Sequence, residues 1–131
     1  MNEVQFAGDI LERIRAREQR YEERGYLFVL AAIEFLQTQL PARRHVTGAE
    51  LAGACRDLAL RQFGLLSQAV LAHWGIVTTR DLGRIVFILV DVGLLSTQPE
   101  DRLEDFDGVY DFAEAFGPDQ VWSGVTVPRK G

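Results

Sequence analysis

The sequence predicts a mainly α fold, a compact bundle of about five helices with a small C-terminal β-hairpin, winged-helix-like in its second half. Three observations lead there. Apolar residues recur at helical spacing through most of the chain up to Gly93. Thr47 and Thr78 each stand three residues before an acid, Glu50 and Asp81, which is the spacing of a capping box. After Gly93 the period changes, and "GLLSTQ" and "GVYDF" read as two short strands around a charged loop, with Pro99 at the turn.

From Val4 to about Arg17, Phe6, Ile10, Leu11 and Ile14 mark an amphipathic first helix. Tyr26 to Leu40 is apolar around nearly its whole circumference and is stopped by Pro41, so this second helix belongs at the centre of the core. Thr47 opens a third helix that runs to about Gln62 and ends at Gly64. Leu65 to Trp74 is a shorter fourth helix ended by Gly75. The fifth spans Thr79 to about Val92, with Gly93 as its C-terminal stop. "FAEAF" reads as one more helical turn. Residues 1–116 thus form a single domain, and the tail 117–131, "GPDQVWSGVTVPRKG" from Gly117, reads as irregular.

With 131 residues, 47% hydrophobic and 25% charged, the chain has the composition of one soluble globular domain. The run "GYLFVLAAIEFLQTQL" is shorter than the ~20 apolar residues a membrane span needs and is interrupted by Glu34. No basic region followed by an apolar stretch marks a secretory signal, so a cytoplasmic location is expected. The one cysteine, Cys55, has no partner for a disulfide, and the two distant histidines complete no Cys/His zinc spacing. No metal, cofactor or membrane role is expected.

The net charge of −5 is local. Residues 1–44 carry seven Arg and seven acids, and residues 45–93 four of each. Residues 94–116 hold seven acids against Arg102 alone. This decides against DNA reading by the second half, because the wing would present Glu100, Asp101, Glu104, Asp105 and Asp107 to a phosphate backbone. The unbroken apolar run Ile85 to Val90 likewise leaves the fifth helix few polar side chains for base edges.

Other constellations are weighed in the same way. With Gly108 as the sharp-turn glycine, Asp105, Asp107, Asp111 and Glu114 fall at calcium-loop positions 3, 5, 9 and 12, but Leu103 occupies the first ligand position, and a solvated turn is the plainer reading. Arg13, Arg17, Arg20 and Arg24 are spaced 4, 3 and 4, so on one unbroken helix they form a basic stripe able to meet RNA phosphates or an acidic protein surface. The interleaved Glu12, Glu18, Glu22 and Glu23 equally describe a solvated face. For acid/base chemistry the sequence offers His45, His73 and Cys55, with no phosphate-cradling glycine loop. An enzyme would need a pocket beside one histidine lined by carboxylates. Cys55, in "AGACRDLAL", reads as a buried inert thiol.

The order "RHVTGAEL", "LALRQFG", "HWGIVTTRDLGRIVFILVDVGLLS" and "EDFDGVYDFAEAF" resembles an uncharacterised bacterial family of hypothetical proteins, mainly from planctomycetes and verrucomicrobia. The likeness covers Phe6 to Phe116 and leaves out the C-terminal "VWSGVTVPRKG". It implies no activity, ligand or catalytic residue. It does imply a proline-prone position near "AREQRYEERGY", and with it a break in the first helix and in the arginine stripe.

The functional expectation is therefore a non-enzymatic protein-interaction or adaptor domain. Its two central helices have more apolar circumference than a small bundle covers, which points to a protein partner or a homo-oligomer. The contact surfaces are Arg13, Arg17, Arg20 and Arg24 on one side and Glu100, Asp101, Glu104, Asp105 and Asp107 on the other. The alternative is a nucleic-acid-associated regulator that uses the N-terminal arginines, with nucleic acid the less favoured partner.

Overall fold

The computed structural model describes residues 3–119, with side chains described from residue 9 onward. Its elements are α1 (Glu3–Arg17), α2 (Glu23–Thr38), α3 (Gly48–Phe63), a 3-10 turn (Gly64–Leu66), α4 (Ser67–His73), α5 (Thr79–Asp91), a second 3-10 turn (Leu103–Phe106) and the single-turn α6 (Phe112–Ala115). The protein is mainly helical and forms a bundle. Phe6 and the tail beyond Asp119 lie outside the residues whose side chains are described.

Both capping boxes form. Thr47 accepts from the Glu50 N–H at 3.1 Å while Glu50 accepts from the Thr47 N–H at 2.8 Å. Thr78 and Asp81 reciprocate at the start of α5. The end of α5 is a Schellman motif. Gly93, at φ 87°, donates to Val90, and the Leu94 N–H reaches back to the Leu89 carbonyl at 2.9 Å.

The core sits between α2, α3 and α5. The buried face of α3 is largely small, with Ala52, Cys55 and Ala59 beside Leu51 and Leu58, which lets α2 lie close against it. Phe28, Phe63 and Trp74 meet with ring centroids 5.7–6.2 Å apart and join α2, α3 and α4. Ile85, Leu82 and Leu89 are fully buried, since α5 is covered by α1, α2, α3 and the second 3-10 turn.

The first helix ends at Arg17 although no glycine or proline interrupts the sequence there. A tertiary contact ends it. The turn between α1 and α2 lies against the turn between α4 and α5: the Glu22 N–H donates to the Trp74 carbonyl at 3.1 Å. Gly75, at φ 90°, has Arg20's carbonyl oxygen where a Cβ would stand. Tyr21 is buried in the same place.

The C-terminal β-hairpin and the winged-helix resemblance are not supported, because no strand forms among the described residues. Backbone N–H groups of both expected strands find other partners: the Leu94 and Leu95 N–H groups donate to the Leu89 carbonyl at 2.9 and 3.3 Å, the Gln98 N–H to Asp101, and the Val109 N–H to the Thr79 hydroxyl at 3.3 Å. Asp101 Oδ2 accepts from the Gln98 N–H at 2.8 Å, Asp105 Oδ2 from the Arg102 N–H at 3.0 Å, and the Thr79 hydroxyl donates to the Phe106 carbonyl at 2.6 Å. Phe106, buried, seats the segment on α5 and α3 beside Gly83 and Gly48. "FAEAF" does form a helical turn, with Asp111 accepting from the Glu114 N–H.

Candidate functional site

The expected basic stripe is divided by the turn. Arg13 and Arg17 lie on α1, Arg20 in the turn and Arg24 on α2. Arg17 pairs with Asp91 at 3.2 Å, and Arg20 lies beside Glu18 with its guanidinium over the Tyr21 ring. Arg13 and Arg24 have no ion-pair partner among the described residues.

The acidic residues divide similarly. Both Asp107 oxygens accept from Arg80, at 2.7 and 2.8 Å, and tether the loop to α5. Asp101 faces His45 Nε2 at 3.1–3.2 Å, and Asp105 caps the 3-10 turn. Glu100 and Glu104 are exposed and unpaired among the described residues. No group of three or more His, Cys, Asp or Glu is placed to hold a metal ion among those residues. Asp105, Asp107 and Asp111 instead serve as two turn caps and an ion pair.

Two concavities among the described residues bear on the expected functions. The first is an aliphatic groove of about 140 Å³ where α1, α2 and α5 meet, lined by Ile10, Leu11, Ile14, Leu27, Leu30 and Leu89 together with Glu23, Tyr26 and Leu94. Leu27 is 53% exposed, although it sits on a helix whose other side is core. Arg24 stands one turn before it. Tyr26 is 2% exposed, and its hydroxyl has no hydrogen-bond partner among the described residues. Burial, then the nearby charges of Glu18 and Tyr21, push that hydroxyl's pKa up to about 12.

The second is a cleft of about 310 Å³ between the α2–α3 link, α5 and the segment that follows it. His45 and Asp101 stand on its rim with Arg44, Ser96, Thr97, Arg102 and Asp105. Arg44 makes a two-pronged pair with Glu50, at 2.8 and 3.2 Å, and the carboxyl of Glu50 is held down to about 2, chiefly by that guanidinium and next by the Thr47 N–H. This is the histidine-and-carboxylate pocket an enzyme would need. Its chemistry is incomplete: Ser96 and Thr97 line the cleft, but neither hydroxyl is hydrogen-bonded to His45 among the described residues. Cys55 is no substitute, because burial pushes its thiol up to about 12. His73 is exposed beside Glu22 at 3.7 Å, away from the cleft.

The groove and the cleft join residues far apart in sequence, and only the charges on their rims were visible as candidates. No family model, curated protein or solved structure matches this chain. The resemblance to the bacterial family therefore rests on the quoted motifs alone. No helix among the described residues is long and apolar enough to cross a membrane.

Proposed function

We propose that residues 1–116 form a non-enzymatic protein-interaction or adaptor domain of the cytoplasm, docking through the α1–α2 groove. The observation that carries this reading is the groove itself: a nearly all-aliphatic channel, with Leu27 standing half in solvent at its edge. A channel between two helices takes the apolar face of a partner helix or an extended segment. Arg24, and Arg13 on the flank of α1, favour a partner with acidic residues beside its apolar ones. A second copy of the chain qualifies, because Glu100 and Glu104 are unspent on its surface.

The test is light scattering over a range of concentration and salt, on the wild type and on Leu27→Glu. The expected result is a mass that rises with concentration, and a Leu27→Glu chain that folds but stays monomeric. A strict monomer at every concentration, with no protein retained on the wild-type chain that the variant fails to retain, would defeat the proposal.

The alternative, a nucleic-acid-associated regulator, has less behind it, since the turn divides the arginines and Arg17 is spent on Asp91. It predicts binding that weakens steeply with salt and falls on Arg17→Glu or Arg20→Glu. Salt-insensitive or absent binding to DNA and RNA would end it.

A further inference from the structure

The cleft beside the α2–α3 link joins an apolar floor to a rim whose charges are only partly matched within the protein. Ile33, Leu51, Val86, Phe87, Leu95 and Phe106 make the floor. On the rim, Arg44 is neutralised by Glu50, and both Asp101 oxygens are engaged by His45, one of them also by the Gln98 N–H. Arg102 and Asp105 differ from these. The Arg102 guanidinium has no ion-pair partner among the described residues. Asp105 spends one oxygen on the Arg102 backbone N–H at 3.0 Å, and its second accepts nothing among those residues.

A spare guanidinium and a spare carboxylate oxygen above one apolar floor complement a zwitterion with an apolar body. Its carboxylate fits the guanidinium fork, its ammonium fits Asp105, and its body covers the floor. A simple anion would meet Asp101 and Asp105 as well as Arg102, and a simple cation would leave Arg102 unmatched. The volume, about 310 Å³, admits a molecule the size of a large amino acid. We infer that this cleft binds a free α-amino acid with a large apolar side chain. The site shares only Leu94 with the lining of the α1–α2 groove, and neither Arg102 nor Asp105 lines that groove, so the two proposals are tested by different residues.

The experiment is an amide NMR titration of the full chain with phenylalanine, phenethylamine and 3-phenylpropionate, which share a ring and differ in which charges they carry. Phenylalanine is expected to shift amides in residues 45–51 and 94–106 with an affinity of about millimolar, and removal of either charge to weaken binding about tenfold or more. Arg102→Gln should weaken phenylalanine and 3-phenylpropionate while sparing phenethylamine. Asp105→Asn, which keeps an oxygen for the Arg102 N–H, should weaken phenylalanine and phenethylamine while sparing 3-phenylpropionate. Equal binding of all three by the wild type, shifts confined to other parts of the chain, or no shift up to the solubility limit would each overturn the assignment. Amide dispersion in the same spectra reports whether each variant is folded.

Discussion

The Tyr21 hydroxyl donates to Asp81 Oδ1 at 2.5 Å, across 60 residues of sequence, and so fastens the turn after α1 to the first turn of α5. Asp81 is 3% exposed and accepts in addition from the Val77 and Thr78 N–H groups and from Arg84. Tyr21→Phe removes one donor from a buried carboxylate and is expected to cost about 1–3 kcal/mol, read from urea unfolding midpoints at constant slope. A variant as stable as the wild type would mean that the remaining donors satisfy Asp81 fully.

The same substitution five positions on should behave oppositely. Tyr26 is as buried as Tyr21, but its hydroxyl meets no partner among the described residues. Tyr26→Phe keeps the ring and its edge-on packing against Tyr21, with centroids 6.2 Å apart, and discards only the stranded hydroxyl. The expected outcome is a protein at least as stable as the wild type, by up to about 1–2 kcal/mol. Destabilisation comparable to that of Tyr21→Phe would show that the hydroxyl has a partner in solution.

The acid limb of stability follows from the same aspartate. Burial works against the charge of Asp81, yet the hydrogen bonds from Tyr21, Val77, Thr78 and Arg84 together hold its carboxyl below the ordinary aspartate value. Glu50, at about 2, shifts the same way. A carboxyl more acidic in the folded than in the unfolded chain stabilises the fold at pH values above its unfolded pKa, and that contribution is lost as pH falls through the folded one. Stability should therefore be level above about pH 5 and decline from about pH 4 downward. Asp81→Asn should lie below the wild type at neutral pH, with the gap narrowing as pH falls below about 4, the ordinary aspartate value. A gap that stays constant in pH-stepped urea titrations would remove Asp81 from the account.

These contacts also explain which parts of the fold the sequence disclosed. Both capping boxes are local: a threonine and an acid three positions apart need only the helix they start, so they were visible at once. The end of α1, expected at about Arg17 from where the apolar spacing stops, has no such local mark, because "AREQRYEER" is made of good helix formers and contains no breaker. What stops the helix is Tyr21 reaching Asp81 and the Glu22 N–H reaching Trp74, both contacts with residues far along the chain. The hairpin expectation failed for a related reason. "GLLSTQ" and "GVYDF" have the composition of strands, but the Leu89 carbonyl at the end of α5, Asp101 and Thr79 take backbone N–H groups that a second strand would have paired. The cleft was invisible as a cavity, although His45 and His73 were the two places to look for one, since the His45 partner Asp101 is 56 positions away.

Gly83 is the most constrained position on α5. A Cβ there would stand 2.7 Å from Phe106 ring atoms and 2.9 Å from Leu103. In an ordinary exposed helix Gly→Ala gains about 1 kcal/mol of propensity. Here the new methyl must displace a buried phenylalanine that seats the whole segment after α5, and overpacking of this kind typically costs about 1–3 kcal/mol. Gly83→Ala is expected to lower the melting temperature and to raise amide exchange in residues 98–109 ahead of the rest of the chain. It should also blunt the amino-acid response of the cleft, whose floor includes Phe106. Phe106→Ala should reproduce the exchange pattern with a larger loss, about 3–5 kcal/mol. If Gly83→Ala were neutral or stabilising with exchange unchanged, Phe106 would have room to move aside, and the segment would owe its position to the Thr79 and Arg80 contacts alone.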